Sequence, residues 1–132
     1  MDEIFETLLA RVDENGETFT DGSDVDRWAM GLGLTVSEFF DQIGAALAVK
    51  YNAGFANFEF CDSLVNHLWS DLINRVGMSN EIPWPELFDE VFLAFDAGEY
   101  YRSIDKTDDP VADFTVPLVD KIVAKLLAAS MQ

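Results

Sequence analysis

Apolar residues recur at steps of three and four along most of this chain, the spacing that gathers side chains on one side of an α-helix. Ile4, Phe5, Leu8, Leu9 and Val12 form the first stripe and predict a helix that Asp2 caps and that ends before Asn15-Gly16. Residues 15–23, NGETFTDGS, are turn formers and read as a loop. Ser23 is placed to cap a short helix carrying Val25, Trp28, Ala29 and Leu32, which the GLG at 31–33 stops. Thr35 and Glu38 have the spacing of a capping box, in which each side chain satisfies the other's backbone N–H. The helix behind them carries Val36, Phe39, Phe40, Ile43 and Leu47 and frays near Asn52-Ala53-Gly54.

Leu64, Val65, Leu68, Trp69, Leu72, Ile73 and Val76 make the most regular stripe. It predicts a central helix from about Cys61 to Arg75, closed by Gly77. Residues 78–83, MSNEIP, are a connector. In the stretch WPELFDEVFLAFDAGEYY, Pro85 and Gly98 bracket a helix over 85–97. Its Leu87, Phe88, Val91, Phe92 and Phe95 share one side, while Glu86, Asp89, Glu90 and Asp96 share the other, with Leu93 among the acids. Residues 99–109 are a polar loop. After Asp109-Pro110 one helical turn leads into a final helix near 117–129, with Pro117 in its first turn and a stripe of Leu118, Val119, Ile122, Val123, Leu126 and Leu127. Alternating periodicity does not persist beyond FANFEF at 55–60, and no repeat or interdomain linker interrupts the pattern. The expected fold is all-α: one domain over residues 1–132, a single compact bundle of five to six helices.

Composition sharpens this. The apolar share of 49 %, with eleven Phe and three Trp, is enough for a packed core in spite of the charge. Twenty-five Asp and Glu oppose eight Lys and Arg, a net charge of −17. Such a field repels nucleic-acid phosphate and anionic lipid, and it speeds the capture of a basic partner. No stretch is apolar enough to span a membrane. The acidic start, MDEIFETLLARVDENG, lacks the basic region and cleavage site of a signal peptide, and the single cysteine, Cys61, has no internal partner. These features give the expectation of a cytoplasmic protein, its acidity of the kind that keeps bacterial proteins soluble.

Familiar chemistry is sparse. An EF-hand register on Gly16 puts Arg11 and Gly22 at its ends, and one on Gly22 puts Phe19 and Trp28 at ligand positions, so neither binds calcium. One His and one Cys do not make a zinc or di-iron site, and no Glu precedes His67 by three residues. Asp105, Asp108 and Asp109 form an acidic turn in which Asp109 is placed to cap the next helix. Cys61 and His67 are six residues apart and face different sides of one helix. The segment AMGLGLTVSEFF, residues 29–40, resembles the helix-turn-helix of DNA-binding proteins and a stretch of small ribbon-helix-helix repressors. Its second helix bears Glu38 and Asp41 with no base before Lys50, which DNA phosphates do not accept.

The expected function is therefore a non-enzymatic one: a small acidic interaction module binding a basic protein partner. In size and charge it is similar in type to the immunity proteins and antitoxins that neutralise basic toxins. The candidate contact residues are Glu86, Asp89, Glu90, Asp96, Glu99, Tyr100 and Tyr101, since tyrosine beside carboxylates suits a surface that meets Arg and Lys. The alternative is a small-molecule binder or an enzyme using a carboxylate pair in a helix-lined pocket, with His67 or Asp96 in a perturbed state of titration. No cofactor or metal is implied. The chain is expected to be a monomer or a small homo-oligomer, because aromatic content supplies an interface while the net charge opposes a large one.

Overall fold

The computed structural model describes residues 1–78 and 82–131. Six α-helices and no strand occur among them: α1 (Asp2–Ala10), α2 (Asp24–Leu32), α3 (Val36–Asn52), α4 (Phe58–Met78), α5 (Glu86–Asp96) and α6 (Val116–Ser130). A 3-10 turn, Ala97–Glu99, extends α5, and a π-turn, Val111–Thr115, runs straight into α6. The chain is an all-α bundle. No single helix among the described residues is long and apolar enough to cross a membrane.

The middle of the bundle is α3, which packs against α2, α4, α5 and α6, rather than the more regular α4. Its start is the expected capping box: Glu38 N–H donates to Thr35 Oγ1 at 3.1 Å and Thr35 N–H to Glu38 Oε1 at 3.0 Å. The α2–α3 corner turns on Gly33, whose φ of 69° is open to glycine, and the two helices bend by 91°. Phe39, Phe40, Ile43 and Leu47 are fully buried, each contributing about 2 kcal/mol through the apolar surface it removes from water. Gly44 lets α5 approach closely: a Cβ on it would stand 3.3 Å from Phe88 Cα. Beside it Asp41 Oδ1 accepts the Phe88 N–H at 3.0 Å, so a side chain of α3 satisfies the N-terminus of α5.

Several expected boundaries move for physical reasons. Met1, not Asp2, precedes α1, which stops at Ala10. Val12 lies beyond its end and is exposed, and Leu9, though within the helix, is exposed as well. Ser23 makes no capping bond; its N–H and hydroxyl both donate to Asp21 Oδ1. Helix α4 begins three residues early because Asn57 Oδ1 accepts the Phe60 N–H at 2.9 Å, and it passes through Gly77 to Met78. Part of the MSNEIP connector, residues 79–81, lies outside the described residues. Trp84 then packs edge-on to Trp69 at 5.6 Å, and Phe92 stacks flat on Trp69 at 4.1 Å. The Phe stripe of α5 is thus core, with Phe88, Val91 and Phe95 fully buried. The turn after Pro110 is the π-turn, held at its start by Asp109 Oδ1, which accepts the Ala112 N–H at 3.1 Å.

Candidate functional site

The acids of α5 do not stay together. Glu86, Asp89 and Glu90 belong to its N-terminal end, and Asp96 to its C-terminal end about 15 Å away along the axis. Glu90 pairs with Lys125 of α6 at 2.7 Å. Asp96, Glu99, Tyr100 and Tyr101 gather instead around a residue of α4 that the sequence reading passed over, Asp62.

The local packing that sets this up begins at Gly98. A Cβ there would collide with Thr115 Oγ1 and come within 2.9 Å of Phe58 Cε2. Thr115 is buried and donates to Ala94 O at 2.8 Å, tying the π-turn to the end of α5. With glycine at this point the 3-10 turn presses onto α4, and Glu99 is carried against Asp62. Asn66, one turn further along α4, donates from Nδ2 to Glu99 Oε2 at 3.1 Å and holds the glutamate in place.

Asp62 lies between two cavities. One, of about 650 Å³, is lined by Glu59, Glu99, Tyr101, Lys106, Asp108 and Asp109 among others. The second, of about 420 Å³, lies towards the 13–19 loop and is lined by Asp13, Glu17, Asn66 and His67. Ser63 anchors that loop by accepting the Thr18 N–H at 2.9 Å. Asp62 Oδ1 is shielded from solvent and has no hydrogen-bond partner among the described residues. Burial, first, and then Glu99, Asp96 and Glu17 push its carboxyl up to about 8 from an ordinary 3.8. That shift favours the protonated form of Asp62 at neutral pH. Tyr100 is raised in the same field, by Asp96 first and Glu99 second. His67 lines the neighbouring cavity, and burial pushes the Cys61 thiol up, which leaves it an inert core residue.

The arginines near this cleft are spent elsewhere. Arg102 is three residues from Glu99, yet its guanidinium donates to the carbonyls of Ala97 and Tyr100 at 2.6 and 2.5 Å and lies 3.9 Å over the Phe114 ring. Arg11 lines the smaller cavity but is committed to Asp24 at 2.6 Å. Lys106 is the cation that lines the larger cavity, and it is exposed. The acidic turn at 105–109 serves its own backbone. Asp108 accepts the Arg102 N–H at 2.7 Å and the Ser103 hydroxyl at 2.7 Å, and Asp105 accepts the Thr107 hydroxyl at 2.8 Å. No three His, Cys, Asp or Glu are grouped to hold a metal ion among the described residues.

No family model, curated protein or solved structure matches this chain. The chemistry of the cleft is a carboxyl of raised pKa, Asp62, set against Glu99, with more carboxylates around them and two exposed tyrosines alongside.

The sequence carried one signal for Asp62. It stands seven residues before Trp69, at the border of the apolar stripe of α4, where a charged residue is drawn towards the interior. Its partner is 37 residues away, and no helical spacing reveals that meeting.

Proposed function

We propose that this protein is a small acidic interaction module whose cleft at Asp62 and Glu99 docks a basic segment of a protein partner. The supporting observation is Asp62 Oδ1, shielded, without a donor, and facing other carboxyls. A buried acceptor left unpaired costs about 1–3 kcal/mol, and like charge adds to it. An arginine or lysine entering between the two carboxyls supplies donors and removes the repulsion at once, arginine in a bidentate manner. Tyr100 and Tyr101 offer exposed rings beside the charge, and the net charge of −17 steers a basic partner to the surface. A basic toxin of the kind neutralised by immunity proteins and antitoxins has the right chemistry.

Docking of a cation favours ionised Asp62, so it displaces the proton. Affinity therefore rises with pH until Asp62 of the free protein has lost its proton, near 8, and is level above it. The test is calorimetric titration with a hexa-arginine peptide, comparing Asp62→Asn/Glu99→Gln with Glu86→Gln/Asp89→Gln. The titration is run at pH 9, where Asp62 too has lost its proton, so that each pair of changes removes two charges. The cleft variant is expected to bind at least about tenfold more weakly than the other, an effect of about 1.4 kcal/mol. Equal weakening in both makes the binding a matter of net charge alone and rejects the cleft.

The same pair also supports a second reading, a small-molecule binder or carboxylate enzyme. A carboxyl that keeps its proton to about pH 8 beside another carboxyl has the form of an acid–base pair. That reading expects a neutral or cationic metabolite to raise the melting temperature of the wild type and not of Asp62→Asn. A metabolite screen without such a hit removes it.

A further inference from the structure

A second surface stands apart from the cleft. Between α5 and α6 runs a groove of about 500 Å³ with an apolar floor of Leu93, Ala94, Leu118, Ile122 and Ala124. Leu93 is 53 % exposed and Leu118 is 38 % exposed, although each lies in line with buried neighbours. The two walls differ in charge. Helix α5 carries Glu86, Asp89, Glu90 and Asp96 and no cation, the most acidic helix of the six. Helix α6 carries Lys121 and Lys125 against Asp120, and it alone among the described helices has a net positive charge. Lys125 is tied to Glu90, while Lys121 forms no ion pair among the described residues.

We propose that this groove seats a second copy of the chain, packed about a two-fold axis with α5 of each copy against α6 of the other. A two-fold interface is isologous, so every contact between one wall and the opposite wall is made twice. Here that rotation sets an acidic wall against a basic wall on both sides and closes the exposed Leu93 and Leu118 over each other. Lys121 of one copy meets Asp89 of the other, an acid of α5 that forms no ion pair among the described residues, whereas Glu90 is held by Lys125. A foreign helix would have to bring the same two charges and the same apolar strip, whereas this groove already carries its own complement. Of the four arginines, Arg11, Arg27 and Arg75 are bound to Asp24, Asp26 and Asp71 within the chain, and Arg102 to the carbonyls of Ala97 and Tyr100. The long-range repulsion of two copies at −17 is screened beyond about 8 Å at physiological salt, while contacts at the seam are not.

Sedimentation velocity over a range of protein concentration, at physiological salt, tests this. The wild type is expected to approach twice the monomer mass. Leu118→Glu, at an exposed position that leaves the helical circular dichroism intact, is expected to stay monomeric. Lys121→Glu and Asp89→Lys each put like charges opposite one another, leave the Glu90–Lys125 pair in place, and are expected to weaken the dimer about tenfold. Combined, they swap the charges and are expected to restore it. A wild type that stays monomeric at the highest concentration overturns the proposal, and leaves the groove to an acidic helix of another protein. Association indifferent to Leu118→Glu, or a double variant no better than the single ones, overturns it as well. The measurement uses the protein alone and is independent of the Asp62 cleft, so each proposal fails without the other.

Discussion

Asp62→Asn is the substitution that probes the cleft most directly. It keeps the shape of the side chain, removes the ionisable group, and gives Glu99 an amide donor. The ordinary carboxyl of 3.8 is pushed to about 8, and each unit of such a shift is worth about 1.4 kcal/mol. Taken whole, the shift would set a destabilisation of about 5–6 kcal/mol on ionising the group in the folded protein. Asp62 is only partly shielded, and water on its open side reduces this to about 1–3 kcal/mol. The sign follows from the folded value lying above the unfolded one. The penalty is absent below pH 3.8, grows as pH rises towards 8, and is level beyond it. The variant should then match the wild type near pH 4 and exceed it by about 1–3 kcal/mol at pH 8.5. Urea denaturation at a series of pH values measures this, provided both proteins unfold with the same m-value. A difference that does not change with pH, or a variant less stable than the wild type at pH 8.5, refutes the assignment of a strained carboxyl pair.

Asp24 gives the opposite dependence. It is fully buried, burial works to raise it, and the bonds from Arg11, the Asp21 N–H and Arg27 outweigh that and hold it low. Asp24→Asn is expected to lose about 3 kcal/mol at pH 7 by urea denaturation, and the loss should shrink as pH falls below 3.8, where the wild type also loses the contribution. Gly98→Ala is expected to cost about 2 kcal/mol or more, because the new methyl meets buried Thr115 and Phe58. In that variant NMR titration should show the Asp62 carboxyl returning towards its ordinary range as the 3-10 turn is pushed off α4. Asp41→Ala removes the acceptor from the Phe88 N–H and is expected to lower stability by about 1 kcal/mol in thermal denaturation.

The residues that were legible in sequence act within a turn or two of themselves. The Thr35–Glu38 box, the Phe39–Leu47 stripe and the buried side of α5 all follow from spacing, and the structure has them. What spacing does not carry is a polar side chain whose partner is distant in the chain. Asp24 stands in the first turn of α2, where spacing gives no sign of burial, and Arg11 and Arg27 close on it. Asp41 reads as an acid of an outward face, yet it caps a helix 47 residues on. Asn57 reads as part of a short alternating stretch, though its amide oxygen starts α4. Spacing makes the acidic face of α5 one surface, because all four acids project from one side. Helix length and the neighbours at each end then divide it, Glu90 to Lys125 and Asp96 to the cleft. Leu93, placed by its angle among those acids, lies on the floor of the α5–α6 groove.

Asp24 and Asp62 together show what the cleft lacks. Both are aspartates drawn inward, but the first is bonded by two arginines, while the second has carboxylates against it and forms no ion pair with Lys106 or Arg11 of the cavities it lines. If a missing cation is what leaves Asp62 strained, then one placed inside the chain should do what a partner does. Asn66 is the position for it, since its amide already reaches Glu99 at 3.1 Å and it borders the cavity that Asp62 lines. Asn66→Lys is expected to bring the Asp62 carboxyl back towards its ordinary range and to add about 1 kcal/mol of stability at pH 8.5. It should also weaken the hexa-arginine peptide about tenfold while raising the net charge by only one, which Glu86→Lys, raising it by two on the far end of α5, should not do. If the lysine stabilises the protein and the peptide still binds as before, the strain at Asp62 is real but the cleft is not where a basic partner docks. If the lysine changes neither, Asp62 is not waiting for a cation at all.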